Sequence, residues 1–276
     1  MRGLVSAVLM MSGLATGTAW APAWAQPYKP NDMGVTMGHW HLNSVDVEAN
    51  KKIFAAMGGN AVKAGDFEVV RFPGVVVMLH LRAPAPPSAG GTDGTVVNHV
   101  GFIVQNVQES VAKWKAAGVP VKPGNNERLD QAWVVTPDGL RVEILEDKSQ
   151  SVPIRHEHVH LFLPDAERAK SQAWYAKTFG AKAGMRNEAP VADIPGVQMR
   201  FNKVDKPLLT TKGRILDHIG FDVVDLQGFI KKLEADGIKL DRPYTKNPSG
   251  GALAFITDPW GTYIELNERP NAVYLP

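Results

Sequence analysis

The 276-residue chain contains no cysteine. This excludes a disulfide scaffold, a thiolate metal site and a cysteine nucleophile, so any metal must be held by nitrogen and oxygen. Excess charge is also lacking: Lys and Arg number 30 against 28 Asp and Glu. There is no basic run of five residues, and neither nucleic acid nor anionic lipid is expected as a partner. Several enzyme signatures are missing as well: the phosphate-cradling Gly-Lys-Ser/Thr loop, Gly-x-Gly-x-x-Gly after a strand, the Gly-x-Ser-x-Gly elbow and His-Glu-x-x-His. His156-Glu157-His158 does not supply the last, because its histidines are two apart and not four.

At the amino terminus Arg2 is followed by an uncharged stretch, Gly3 to Gly17, and then by Ala23-Trp24-Ala25. This is a secretory layout and predicts a signal peptide over 1–25, cleaved after Ala25, with the mature chain in the periplasm or outside the cell. Its apolar core is shorter than the ~20 residues a spanning helix needs, so no membrane span is expected after cleavage.

What is present in quantity is repetition. A histidine, a second histidine sixty residues later and a glutamate beyond it occur twice, as His39, His99 and Glu143, then as His158, His218 and Glu265. Asp46, Asn106, Asp165 and Asp225 stand seven residues after the four histidines. Each histidine opens a short apolar run, and each Asp or Asn suits the N-cap of a following helix. Gly118 and Gly237 sit where the second and fourth helices should stop. Strands then follow, announced by Pro73-Gly74, Pro137-Asp138-Gly139, Pro195-Gly196 and Pro259-Trp260-Gly261. The chain therefore reads as four copies of one strand, one helix and about three strands. A linker at Pro84 to Gly94 separates the first copy from the second, and one at 147–154 separates two domains of two modules each, 37–148 and 152–270.

Two neutral imidazoles and a carboxylate are the ligand set of an open divalent-metal site. Glu143 and Glu265 alternate with apolar neighbours, and a carboxylate facing into a sheet needs compensation. A metal ion supplies it; a salt bridge or a solvated face would serve too. Alternation along a strand puts His41 on the face of His39, and His156 and His160 on the face of His158. These three histidines are candidates for supporting a ligand, relaying protons or walling a pocket, or are ordinary strand residues. Tyr263 shares a strand face with Glu265 and is a candidate for substrate contact or acid–base work, or a shield for the sheet. Tyr244 and Lys246 are weaker candidates on a bordering loop.

These residues, in this order, resemble the vicinal oxygen chelate superfamily of glyoxalases, extradiol dioxygenases, fosfomycin-resistance and bleomycin-binding proteins. The resemblance spans roughly residues 37–268. It rests on His39-Trp40-His41-Leu42, the segment His158 to Asp165, the segment Ala173 to Gly180, Asp217-His218-Ile219-Gly220-Phe221 and the segment Asp258 to Leu266. It implies an α+β fold of four βαβββ modules paired into two tandem glyoxalase-like domains. It also implies metal ligation by His39, His99 and Glu143 and by His158, His218 and Glu265, the second set matching the family pattern better. A fourth ligand position, counted from the Pro-Gly turns, falls on His80 and Asn202, neither of them a carboxylate. The expected protein is an exported enzyme that uses Fe, Mn, Ni or Zn to chelate neighbouring oxygens of a small-molecule substrate, by dioxygenase or lyase and isomerase chemistry. His160 and Tyr263 are its candidate catalytic residues. The alternative is a non-catalytic small-molecule-binding protein. The sequence does not fix an oligomeric state.

Overall fold

The computed structural model describes residues 27–65, 67–83, 91–248 and 250–269. The expected signal peptide and residues 84–90 of the first linker lie outside them. Module 1 runs β1 (Val35–Ser44), α1 (Val47–Ala56), β2 (Asn60–Ala64), β3 (Phe67–Phe72) and β4 (Val75–Leu81). Module 2 runs β5 (Val97–Val104), α2 (Val107–Ala116), β6 (Val121–Pro123), β7 (Gln131–Val135) and β8 (Arg141–Glu146). Module 3 runs β9 (Ile154–Leu163), α3 (Asp165–Phe179), β10 (Lys182–Arg186), β11 (Ala189–Ile194) and β12 (Val197–Lys203). Module 4 runs β13 (Leu216–Val223), α4 (Leu226–Ala235), β14 (Arg242–Lys246), β15 (Ala252–Thr257) and β16 (Tyr263–Glu268). No helix among the described residues is long and apolar enough to cross a membrane.

Three of the four expected caps form. Asp46, Asn106 and Asp225 accept the backbone N–H of Ala49, Glu109 and Gly228 at 2.9, 3.1 and 2.9 Å, satisfying donors that the helix leaves open. α3 departs from the pattern because Pro164 takes the cap position. Asp165 becomes its first helical residue, where a carboxylate meets the positive end of the helix and pairs with Arg168 at 2.6 Å.

Chain order predicts that each half, 37–148 and 152–270, holds its own pair of modules. The strands pair otherwise. One sheet has the order β14-β15-β16-β13-β1-β4-β3-β2 and the other β10-β11-β12-β9-β5-β8-β7-β6. Modules 1 and 4 share the first sheet and modules 2 and 3 the second. The connections account for this. The link between β8 and β9 is short and returns β9 antiparallel beside β5, as short connections do. The longer links after β4 and β12 let the chain change sheets. The joint between modules is antiparallel in both sheets, β1 on β13 and β5 on β9.

Each sheet turns one face toward the other sheet and the helices. Trp40 on β1 is fully buried and packs edge-on against Phe102 and His156 of the other sheet, with ring centroids 5.3 and 4.9 Å apart. Burial of large side chains such as these contributes roughly 2–3 kcal/mol each. Backbone bonds stitch the sheets together as a matched pair: Met37 N–H donates to the Pro195 carbonyl at 2.9 Å and His156 N–H to the Pro73 carbonyl at 3.1 Å. The opposite face of each sheet carries the clustered histidines with Glu143 and Glu265.

Candidate metal centres

The cross-pairing of modules redistributes the expected ligand sets. His39, His218 and Glu265 converge in the sheet of modules 1 and 4, here the terminal site, and His99, Glu143, His158 and His160 in the sheet of modules 2 and 3, the central site. Within each group one ligand atom per residue lies within 4.8 Å of all the others. All six expected metal ligands are thus in clusters, but neither His39–His99–Glu143 nor His158–His218–Glu265 forms one. The first strands of two modules meet at the centre of each sheet, so the two histidines of a site come from opposite halves of the chain.

Two glycines make the convergence possible. A Cβ on Gly101 would stand 1.9 Å from Cε1 of His158, and one on Gly220 would stand 2.0 Å from Cε1 of His39. Each glycine lies two residues beyond one ligand histidine and leaves room for the ring of the other. Across the parallel rung from each glycine stands the glutamate, Gly101 opposite Glu143 and Gly220 opposite Glu265.

In the terminal site the His218 and His39 Nε2 atoms lie 2.8 and 3.3 Å from Oε2 of Glu265. In the central site the His158 and His99 Nε2 atoms lie 3.1 and 3.4 Å from Oε2 of Glu143. These residues are at least 92 % buried, yet His39 Nε2, His158 Nε2 and His218 Nε2 make no aligned hydrogen bond. Orphaned buried nitrogens gathered around one carboxylate oxygen fit a cation between them better than they fit one another.

The outer nitrogens of His218, His158 and His99 are held by acceptors, the arrangement that fixes a ligand's tautomer. His218 Nδ1 meets Asp217 Oδ1 at 2.6 Å, and Asp217 is steadied by the Gly213 N–H at 2.6 Å. His158 Nδ1 meets Glu157, which also accepts from Arg200. His99 Nδ1 meets Asn98 Oδ1 at 2.9 Å, which takes a further bond from Arg141 at 3.0 Å. Gln131 donates to the other oxygen of Glu143.

Burial holds His39 below the ordinary imidazole range and His99 at about 4, so both present neutral nitrogens. Burial would raise Glu143 and Glu265, but their histidine partners outweigh it and keep both carboxylates below the usual range. For His218 burial pulls down while Asp217 and Glu265 pull up, with a net rise.

His160 belongs to the central site: its Nδ1 lies 2.9 Å from His99 Nε2, its Nε2 has no hydrogen-bond partner, and burial holds it well below the ordinary range. His41 is its counterpart in the terminal site, tilted against His218 at 4.6 Å between centroids. His156 is not on the face of His158 as alternation predicts. A bulge at Glu157 sets His156 opposite Phe102 and His158 opposite Gly101, turning His156 toward Trp40. Tyr263 stands beside the terminal site, 5.8 Å from His218 and stacked on Phe255 at 4.8 Å. Tyr244 and Lys246 lie on β14 and not on a loop, and Tyr244 packs against the core.

The rung opposite the position two beyond each first-strand histidine also corrects the fourth ligand position. His41 faces Met78 and His160 faces Arg200. The Pro-Gly count that gave His80 and Asn202 overshoots by two residues. Neither site has a fourth carboxylate there.

Residues 155–266 match the model of the Glyoxalase/Bleomycin resistance protein/Dioxygenase superfamily. The match covers most of the second half of the chain. Among solved structures, glyoxalase I from Zea mays has this fold, with a TM-score of 0.65 and 18% identity over 85% of this chain and 92% of that one. A putative dioxygenase from Bacillus subtilis subsp. subtilis str. 168 has a TM-score of 0.64 and 13% identity over 90% of this chain and 87% of that one. No curated protein matches the sequence. In this chain all four modules take part in the two sheets, and the module pairs cross between its halves.

The sequence reading missed three participants: Gly101 and Gly220, whose His-x-Gly spacing from His99 and His218 was the available signal, and Arg200, which only the strand register reveals.

Proposed function

We propose that the chain is a divalent-metal-dependent enzyme acting on a small molecule through two neighbouring substrate oxygens, by lyase, isomerase or dioxygenase chemistry. The observation that carries the reading is the convergence of two buried histidines and one glutamate in each sheet, with the Nε2 atoms of His39, His218 and His158 unpartnered. His39, His218 and Glu265 would hold the ion in one site, and His99, His158 and Glu143 in the other. When bound, Fe, Mn, Ni or Zn supplies Lewis acidity that stabilises negative charge developing on the chelated oxygens.

The chain's own residues then position and move protons. In the central site a cleft of about 710 Å³ is lined by Glu143 and His160, a size that suits a small molecule. His160, held neutral by burial, presents Nε2 as a hydrogen-bond acceptor to a substrate hydroxyl. In the terminal site Tyr263 is pushed up to about 12, first by burial and then by the charges of Asp217, Asp241 and Glu265. Its phenol stays protonated at neutral pH and acts as a donor, not as a base. The fixed partners Asp217 and Glu157 keep the ligand rings aligned while the substrate binds.

Export is part of the proposal and rests on the layout of residues 1–25 alone, with the mature protein in the periplasm or outside the cell. Metal analysis of mature protein reconstituted with Fe, Mn, Ni or Zn tests the central reading. The His39→Ala/His218→Ala and His99→Ala/His158→Ala variants should each lose one of two bound ions. A wild type that takes up none of the four metals refutes it.

A further inference from the structure

The two sites share their ligands but not their walls. The cleft over the central site is lined by Arg128, Arg168, Arg186, Arg200 and Lys203, against only Glu143 and Glu188 among the lining residues. The five cations come from the segment before β7, from α3, from β10 and from β12, so the fold gathers them and no sequence run does. In a chain with a formal charge of +2 this is a local concentration.

The module register gives each cation a counterpart around the terminal site. Arg200 and Lys203 correspond to Met78 and Leu81, because β4 and β12 both begin after a Pro-Gly turn. Arg186 corresponds to Ala64, each ending its strand at the hairpin. Arg168 corresponds to Ala49, three residues after the equivalent aspartates. Arg128 corresponds to Gly250, since Trp133 and Phe255 occupy the same rung opposite the glutamate. All five cations are replaced by uncharged residues.

Their existing partners leave donors over. Arg128 binds Asp130 through Nε and Nη2, at 2.9 and 2.7 Å, and Arg168 binds Asp165 through the same two nitrogens, at 2.9 and 2.6 Å. Each guanidinium has five N–H donors, so the Nη1 pair of both stays available. Arg186, half exposed, meets Glu157 only at 3.6 Å. Arg200 is the exception, buried and committed to Glu157 and Gln198. It sets the potential of the floor and does not itself offer a free edge. His160 Nε2, buried and unpartnered, completes a cleft whose charged lining is mainly cationic, with Glu188 the one carboxylate outside the ligand cluster.

We infer that the central site takes an anionic small molecule, one bearing a carboxylate or phosphate held by Arg168 and Arg186 while its neighbouring oxygens reach the ligand cluster, and that the terminal site does not share this ligand class. The inference rests on the proposed reading of the central cluster as a metal-centred substrate site. Charge-assisted bonds to guanidinium contribute about 1.5–3 kcal/mol each, or roughly tenfold or more in affinity.

Calorimetric titration of the metal-free protein with succinate and with inorganic phosphate, at low and at physiological salt, tests it. Wild type should bind at least one of these probes, more weakly at the higher salt. Arg168→Met/Arg186→Met, altering two rim side chains, should bind at least about tenfold more weakly, while its metal uptake matches wild type. Equal anion affinity in wild type and variant, or no binding of either probe by wild type, overturns the inference. The His99→Ala/His158→Ala variant separates the two readings: it should still bind the anion after losing its central-site metal. A wild type that binds the anion and no metal refutes the enzyme proposal and leaves the anion site standing. Metal uptake without arginine-dependent anion binding does the reverse.

Discussion

The terminal and central sites are built on equivalent strands, rungs and glycines, yet many of the side chains around the ligand positions differ. The terminal site backs His218 with Asp217, where the central site backs His99 with Asn98. The central site backs His158 with Glu157, where the terminal site has Gly38 at the same bulge and His39 Nδ1 has no partner. Beside the glutamates, Tyr263 stacked on Phe255 replaces Arg141 over Trp133. Ligand geometry is thus tied to the backbone, while basicity and charge around it are set by side chains that vary independently. Each site retains one carboxylate-backed histidine, contributed by module 4 in one case and by module 3 in the other.

The largest test of this comparison acts on what the sites share. Gly101→Ala should abolish metal binding at the central site and spare the terminal one, and Gly220→Ala should do the opposite, because each new Cβ occupies the space of a ligand ring. Elemental analysis reads this as loss of one ion of two; equal loss at both sites from either variant would break the proposed independence.

Next in size is the carboxylate backing. Asp217→Asn should weaken terminal-site metal affinity by roughly 10–100-fold, measured by competition with a chelator, and leave the central site unchanged. Asn98→Asp should strengthen the central site. If both substitutions leave affinity unaltered, basicity transmitted through Nδ1 is not what distinguishes the pair.

A third difference concerns stability. Asp222 is buried against Gly38 at the terminal site's bulge, paired with Arg269 at 3.0 Å, and burial pushes its carboxyl up to about 6 from 3.8. Between those values the folded state holds a proton that the unfolded chain releases. The stabilisation is complete below about 3.8 and is lost as pH rises through about 6. Asp222→Asn should flatten that fall by on the order of 2 kcal/mol, measured by denaturant unfolding between pH 5 and pH 7.5, near the transition at about 6. An unchanged pH profile would remove Asp222 as its source.

The smallest expected effect is at Gln131, which donates to Glu143 where Leu253 stands in the terminal site. Gln131→Leu should lower central-site metal affinity only severalfold, by roughly the 1 kcal/mol of one hydrogen bond.

The modules were legible because their signals are local. A histidine, a cap seven residues on and a turn ahead of the last strands all follow from backbone chemistry within one segment, and α3 alone shifted its cap, for the identifiable reason of Pro164. The six clustered histidines and glutamates were legible as candidate ligands for the same cause. Their grouping was not, because it depends on which first strand lies beside which, a contact more than a hundred residues apart for β1 and β13. The lengths of the three linkers carried that information, the short one marking the modules that share a sheet. His156 was misplaced because strand alternation assumes no bulge, and a bulge at a charged residue such as Glu157 has no pattern of its own. The cationic cleft could not be read at all, since its five residues are scattered from Arg128 to Lys203 and come together only after folding.

The crossing of modules also sets what the chain can survive. A cut in the short link between β8 and β9 leaves β1 and β5 on one fragment and β9 and β13 on the other, so it divides both ligand clusters with a single break. Neither fragment keeps a complete set in place, and each carries the missing strands of the other. Two clusters that look redundant in number therefore share one point of division, and after a cut in the seven-residue connection each lasts only as long as the two fragments stay paired.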